Sequence, residues 1–354
     1  LLNVCLIGAA IGLAPYFPRP EMALAIGVLI AGIVQLAFQV PFLLQIDRLP
    51  RPRWGWSEPQ VRRILSLMLP ILFGSSVAQL NLLLDTVIAS LLAAGSVSWL
   101  YYADRLMEFP LGVFSIAIAT VILPSLSARH ASQSSREFSD TLDWALRLLM
   151  VVGLPAMVGM FVLAGPLVTT LFNYHSFDGH DALMSQYALM AYALGFMGFS
   201  LVKVLVTGFF SREDSRTPVR CGVISLIGAM IMNLSFVGLF TFMGWPAPHA
   251  GLALATSLGA FINAGLLYRY LRKADVYRPS AAWRRLMLQV TAGCIAMGGV
   301  LWIGAADLPV WVARGVLARV EWLLIWIGAG IGVYFLVLAL LGVRPRQFII
   351  RESA

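Results

Sequence analysis

The chain has 354 residues, 60% of them hydrophobic and 12% charged, with a mean hydropathy of +0.84 and a formal net charge of +8. A soluble domain carries about twice that share of charge and far less apolar content, so these figures exclude a soluble fold and specify an all-helical, polytopic membrane protein. The stretches between apolar runs are too short to hold a separate soluble domain.

In chain order, the apolar runs predict transmembrane helices near 1–17, 22–45, 64–93, 96–124, 146–173, 183–210, 218–244, 251–271, 286–306 and 322–342. These ten spans are each expected to cross a hydrocarbon core of roughly 30 Å. The first run, LLNVCLIGAAIGLAPYF, lacks a charged leader and a small-residue cleavage site, which argues against a signal peptide. Because it opens on Leu1 and not on Met, a missing N-terminal part is expected. Pro70 with Gly74, Pro110, Pro155 and Gly165 with Pro166 fall inside runs and are expected to kink helices whose freed carbonyls need a neighbour. Cys5, Cys221 and Cys294 stand singly, without the spacing of a disulfide or metal site, and are expected as small packing residues.

Lysine and arginine set the orientation. The segments 46–63, 125–147, 211–220, 269–285 and 343–354 hold 5, 3, 3, 6 and 3 of them, whereas the alternate connections hold only Arg19, Arg314 and Arg319. The positive-inside rule therefore places the basic connections and the C-terminus in the cytoplasm. The positive charge is then a topology signal with affinity for anionic membrane lipids, and no nucleic-acid partner is expected.

The two remaining basic residues, Arg105 and Lys203, lie inside runs. Arg105 belongs to YYADRLMEFP, nine residues past Ser96, roughly 13 Å below the end of its helix. A charge at that depth costs several kcal/mol unless it faces protein or water. Ser98, Tyr101, Arg105 and Glu108 recur at i, i+3, i+7 and i+10, so they form one stripe with Asp104 beside it. Asp85 lies about as far before the AAGS turn as Arg105 lies after it, so a helical hairpin would bring the two to one depth. Two readings stay open. Asp85 or Asp104 neutralises Arg105 until an anionic substrate takes its planar fork, or the charges form an interhelical ion pair that only fixes packing.

Lys203, close to the cytoplasmic end of its run, is expected to snorkel toward headgroups. Asn81 and Asn233 are expected in packing roles, bonding across helices. His130, His175, His180 and His249 fall in connections without ligand spacing and are expected to be solvated. HExxH, GxSxG, P-loop and paired Cys/His patterns are absent, so neither catalysis nor a cofactor is expected. MALAIGVLIAGIVQ and LALATSLGAFINAG, six runs apart and each leading into a basic connection, are what a transporter of repeated halves would show.

GSVSWLYYADRLMEFPLGVFSIAIATVILPSLS, LVKVLVTGFFSREDSRTPV and GLALATSLGAFINAGLLYRYLRK closely resemble the lipid II flippases of bacterial peptidoglycan synthesis, the MurJ (MviN) family of the multidrug/oligosaccharidyl-lipid/polysaccharide exporter superfamily. The resemblance runs from Leu1 nearly to the tail. It implies a two-lobe, alternating-access carrier in the bacterial cytoplasmic (inner) membrane, with no covalent chemistry. The chain would then supply the last two helices of an N-terminal lobe (1–45), a basic cytoplasmic linker (46–63), a six-helix C-terminal lobe (64–271), two additional helices (286–342) and a cytoplasmic tail (343–354). Its implied partners are lipid II, an undecaprenyl-pyrophosphoryl sugar-peptide, together with membrane lipids and N-terminal helices of the same chain missing from this sequence.

The family's essential arginine falls on Arg105, with Asp104 and Glu108 in the same motif and Ser98 among the polar residues of its cavity. Asp85 and Tyr101 join this set from their place beside or on the stripe. The resemblance also implies a polyprenyl groove built with 286–306 and 322–342, and coupling to a membrane potential or an ion gradient. Rival expectations are an exporter of drugs or of another polyprenyl-linked glycan, a membrane enzyme acting on polyprenyl phosphates, and a non-transporting scaffold of cell-wall synthesis.

Overall fold

A computed structural model describes residues 1–46, 58–305 and 307–343. Most of the expected linker 46–63 and tail 343–354 lies outside these residues. The described residues form thirteen α-helices and no strand. They are α1 (Leu2–Gly12), α2 (Pro20–Gln45), α3 (Pro59–Ser90), α4 (Ser96–Pro110), α5 (Ala117–Ala131), α6 (Ser135–Val162), α7 (Ala164–Phe172), α8 (Gly179–Phe210), α9 (Arg216–Phe242), α10 (Ala250–Lys273), α11 (Trp283–Ala305), α12 (Leu308–Ala313) and α13 (Val316–Leu340). Eight spans among them are long and apolar enough to cross a membrane, α4 and α5 counting as one.

Several boundaries differ from the sequence expectation for local reasons. The first run yields only the 11-residue α1 and a 3-10 turn at Ala14–Tyr16. Pro110 does not end its helix: its missing N–H is absorbed by a π-helical turn at Leu111–Ile116, which leads directly into α5. Ser115 in that turn is buried and donates to Ser200 of α8 at 2.7 Å. The run 146–173 is longer and broken. Its helix α6 starts at Ser135, because Phe138, Leu142, Ala145 and Leu146 already form a buried stripe, and it stops at Val162 just before Gly165 and Pro166.

The chain divides into two compact units, Leu1–Leu65 and Ser66–Ala354. In the first, α1 packs on α2 through small residues; a Cβ on Gly27 would lie 2.7 Å from the Cβ of Ala9. In the second, α8 is the central helix and packs on α10, α6 and α4. Gly195 and Gly198 let α8 approach α10 closely: a Cβ on Gly195 would sit 2.2 Å from Ser257 Oγ. A satellite core joins α11 and α13 to α6, where the Tyr334 hydroxyl donates to the Val151 carbonyl at 2.6 Å.

The end of the second unit opposite the basic connections is pinned by polar groups, among them His249, which the sequence placed in solvent. The indole of Trp99, at the start of α4, donates to Asp181 at 2.7 Å, and Asp181 with Asp178 forms the capping box of α8. His249 is not solvated. It is fully buried, contacts the Met184 carbonyl at 3.0 Å and lies 5.0 Å from the Trp99 ring, because the short WPAPHA turn folds back over α8. Burial pushes this imidazole below its ordinary range, partly offset by the bond to Met184. Arg319, expected in a connection, lies in the first turn of α13 and is buried. It donates to the carbonyls of Trp311, Val312, Thr169 and Asn173, at the C-terminal ends of α12 and α7.

At the basic end, Asp143 of α6 is buried, pairs with Arg147 at 2.9 Å and accepts from Tyr277 and Trp283 at 2.8 and 2.6 Å, which ties the 274–282 connection to α6. There α5, α8 and α10 all end in paired return bonds closed by a left-handed, non-glycine residue: Gln133, Glu213 and Asp275, at φ 56°, 57° and 54°. The cost of that conformation is about 1 kcal/mol for a residue with a Cβ. Glu213 is exposed and carries a negative charge where the helix dipole disfavours one. Glu213→Gly is therefore expected to stabilise the protein by about 1 kcal/mol, read as a raised thermal midpoint in detergent; an unchanged or lowered midpoint would count against this account.

Candidate functional site

Helix α4 buries Trp99, Leu100, Ala103 and Met107 and leaves the opposite face uncovered by its own unit. That exposed face carries Ser98, Tyr101, Arg105 and Glu108, as the spacing predicted. Arg105 pairs with Glu108 at 2.6 Å, their side chains 55% and 50% exposed, and its guanidinium lies 5.0 Å over the Tyr101 ring. Asp104 sits half-buried at the margin of the stripe. The arginine's ion-pair partner is therefore neither Asp85 nor Asp104, as the first reading held, but Glu108 one turn along the same helix. A local i, i+3 carboxylate needs no particular approach of another helix, so it reaches the guanidinium first.

Asp85 is engaged elsewhere. Its carboxylate accepts from Asn233 of α9 at 2.6 Å, Thr256 of α10 at 3.0 Å and Asn81 of its own helix at 3.1 Å. The acid thus joins three helices through neutral donors, with Asn233 fully buried beside it. Asn233 bonds across helices as expected, whereas Asn81 bonds within its own helix, and the acceptor of both is an acid the sequence assigned to Arg105. Thr256 gave no signal, being one hydroxyl in an Ala- and Gly-rich run. Buried Tyr192 of α8 lies within electrostatic range of both Asp85 and Asp104.

Below this node, a cavity of about 440 Å³ opens between α8, α9 and α10. Asn81, Thr256 and Asn263 line it, as does Lys203. The amide oxygens of Asn81 and Asn263 are buried there without a hydrogen-bond partner. Among the described residues no group of three or more His, Cys, Asp or Glu side chains could hold a metal ion. The exposed stripe offers a permanent cation beside two acids and an aromatic face, an arrangement suited to binding and releasing an anion.

The family model for the lipid II flippase MurJ matches residues 1–319. The chain belongs to the MurJ lipid II flippase family. It is 45% identical over 348 residues to a probable lipid II flippase MurJ of Vibrio cholerae, covering 98% of this chain and 65% of that protein. A probable lipid II flippase MurJ of Haemophilus influenzae is 42% identical, with 99% and 69% covered. The lipid II flippase MurJ of Burkholderia cenocepacia is 40% identical, with 85% and 58% covered. The chain thus spans about two thirds of the length of the first relatives it matches. A solved structure of a lipid II flippase MurJ in an inward closed conformation shares the fold, with a TM-score of 0.73 at 23% identity, covering 96% of this chain and 65% of that one.

The two charged nodes differ in what they support. Asp85→Leu strands the buried amide of Asn233 and is expected to cost about 1–3 kcal/mol of stability. Glu108→Gln breaks an exposed pair and is expected to cost under about 1 kcal/mol. Thermal unfolding in detergent compares them; equal losses, or a larger loss for Glu108→Gln, would contradict the assignment of Asp85 to the fold.

Proposed function

We propose that this chain acts within a carrier that moves lipid II from the cytoplasmic to the outer leaflet of the bacterial inner membrane. In this reading it contributes the last ten spans of the carrier, which runs without covalent chemistry, and the basic connections and C-terminus face the cytoplasm. The observation that carries the reading is the α4 stripe: in a family of lipid II flippases, Arg105 of ADRLMEFP lies deep in a span and its own unit leaves it exposed. Such a charge is tolerable only beside water, protein or an anionic ligand.

The chemistry of the substrate fits the parts. Lipid II joins a pyrophosphate and a bulky polar head to a long apolar tail. Arg105 offers a planar fork to the pyrophosphate; Glu108 holds that fork in place and competes with the anion, with the acid of Asp104 beside it, so that release is possible. Tyr101 supports the guanidinium through its ring, and Ser98 extends the polar track toward the start of α4. Helices α11 and α13 form the side along which the tail runs. Alternating access then exposes the stripe to each leaflet in turn, with a membrane potential or ion gradient as the energy source.

The test is genetic and chemical. In cells depleted of their own flippase, the gene encoding this chain is expected to restore outward exposure of lipid II, Arg105→Ala to abolish it, and Arg105→Lys to lower it by tenfold or more at equal membrane levels. Full restoration by Arg105→Ala would reduce the stripe to packing. No restoration by the unaltered gene would remove lipid II as the substrate.

A further inference from the structure

At the basic end of the second unit, a small pocket of about 230 Å³ lies between the ends of α5, α8 and α10 and the start of α6. It is separate from the α4 stripe and from the Asp85 node. Arg129 and His130 of α5, Arg212 just past α8, and Ser134 and Ser135 at the start of α6 line it. The Arg212 guanidinium makes no hydrogen bond or ion pair with the described residues. The carboxylates nearby are already engaged: Asp275 on the rim with Arg278, and Glu137 with Arg129 at 2.5 Å.

The start of α6 carries a second, independent mark. The sequence Ser134-Ser135-Arg136-Glu137 has the form of a capping box, in which the Ser134 hydroxyl would accept from the Glu137 N–H. The structure does not close it. Ser134 makes no side-chain cap, Glu137 reaches to Arg129, and the N–H groups of Arg136 and Glu137 find no acceptor among the described residues. Two unengaged serine hydroxyls, the unpaired Arg212 guanidinium and an imidazole thus line one small space, at the helix start where the Arg136 and Glu137 amides are also free. That donor set matches the oxygens of a phosphate group.

We propose that this pocket binds the phosphodiester headgroup of an anionic membrane lipid. Its size accommodates a headgroup and not a macromolecule. It lies at the helix ends that carry the basic connections, where the cytoplasmic leaflet presents anionic phosphate. A bound headgroup bridges α5, α6 and α8 at the corner where each turns, and so ties the packing of the second unit to the composition of the bilayer. Free phosphate would satisfy the same donors, and the experiment separates the two sources.

The protein is placed in nanodiscs of phosphatidylcholine with or without phosphatidylglycerol, then released into detergent for native mass spectrometry. One phosphatidylglycerol is expected to stay bound to the unaltered chain. Its retention should fall about tenfold in Arg212→Gln and in Ser135→Glu, the second of which adds an acid where the helix dipole favours one and so keeps α6 intact. Arg284→Gln, an exposed basic change outside the pocket, should leave retention unchanged. Equal retention in all variants, or equal loss in Arg284→Gln, would overturn the site. Displacement of the lipid by millimolar inorganic phosphate, or Arg212-dependent binding of phosphate alone without lipid retention, would make the ligand free phosphate and overturn the lipid assignment.

Discussion

A guanidinium keeps its charge at every pH a cell reaches, so a chain that places one deep in an apolar helix must keep protein, water or an anion beside it. The structure meets this constraint differently at two of its arginines away from the basic connections, Arg319 and Arg105. Arg319 is buried and solvated by four main-chain carbonyls at the ends of α7 and α12, which occupy four of its five N–H donors. Arg105 is held by one carboxylate on its own helix and a tyrosine ring, and half of it is open. The first arginine is fixed by the fold; the second retains unused donors. That difference directs attention to α4 and not to α13.

Much of the surrounding structure serves to hold α4 at fixed rotation. Trp99 ties its first turn to the capping box of α8, with His249 packed behind the indole. Gly95 makes the preceding turn at φ 101°, where a Cβ would strike the Trp99 ring at 2.6 Å. Ser115 fastens the π-helical turn after Pro110 to Ser200. With both ends held to α8, the stripe cannot roll into the core, and its four residues stay on the uncovered face. The Asp85 node bonds the same unit together from α3, α9 and α10, so its acid acts on the packing of helices and not on the charge of Arg105.

The fold class, most of the spans and the face of α4 were legible because they depend on hydropathy and on the 3.6-residue period, both local properties of the chain. The stripe from Ser98 to Glu108 needed only spacing. The partner of Asp85 was not legible, since it depends on how α3 is rotated against α9 and α10, and nothing in a single sequence marks Asn233 and Thr256 as neighbours 148 and 171 positions away. His249 and Arg319 misled for a related reason. Short connections look solvated by composition, yet here one folds back over α8 and the other is drawn into the first turn of α13, where carbonyls at the C-terminal ends of α7 and α12 attract a cation. The open capping box at Ser134 shows the same limit: the motif was present, but its glutamate had a stronger partner in Arg129.

The central claim is that the exposed face of α4 borders an aqueous, anion-handling space and not hydrocarbon. It is tested most directly by site-directed labelling. With Cys5, Cys221 and Cys294 replaced by alanine, Ser98→Cys and Glu108→Cys would be treated in sealed membranes with a membrane-impermeant, charged thiol reagent, with and without added lipid II. The account predicts labelling of both positions, slowed by lipid II. Absence of labelling at both, together with quenching of an attached fluorophore by a spin label in the acyl chains, would place the stripe against lipid and contradict the account.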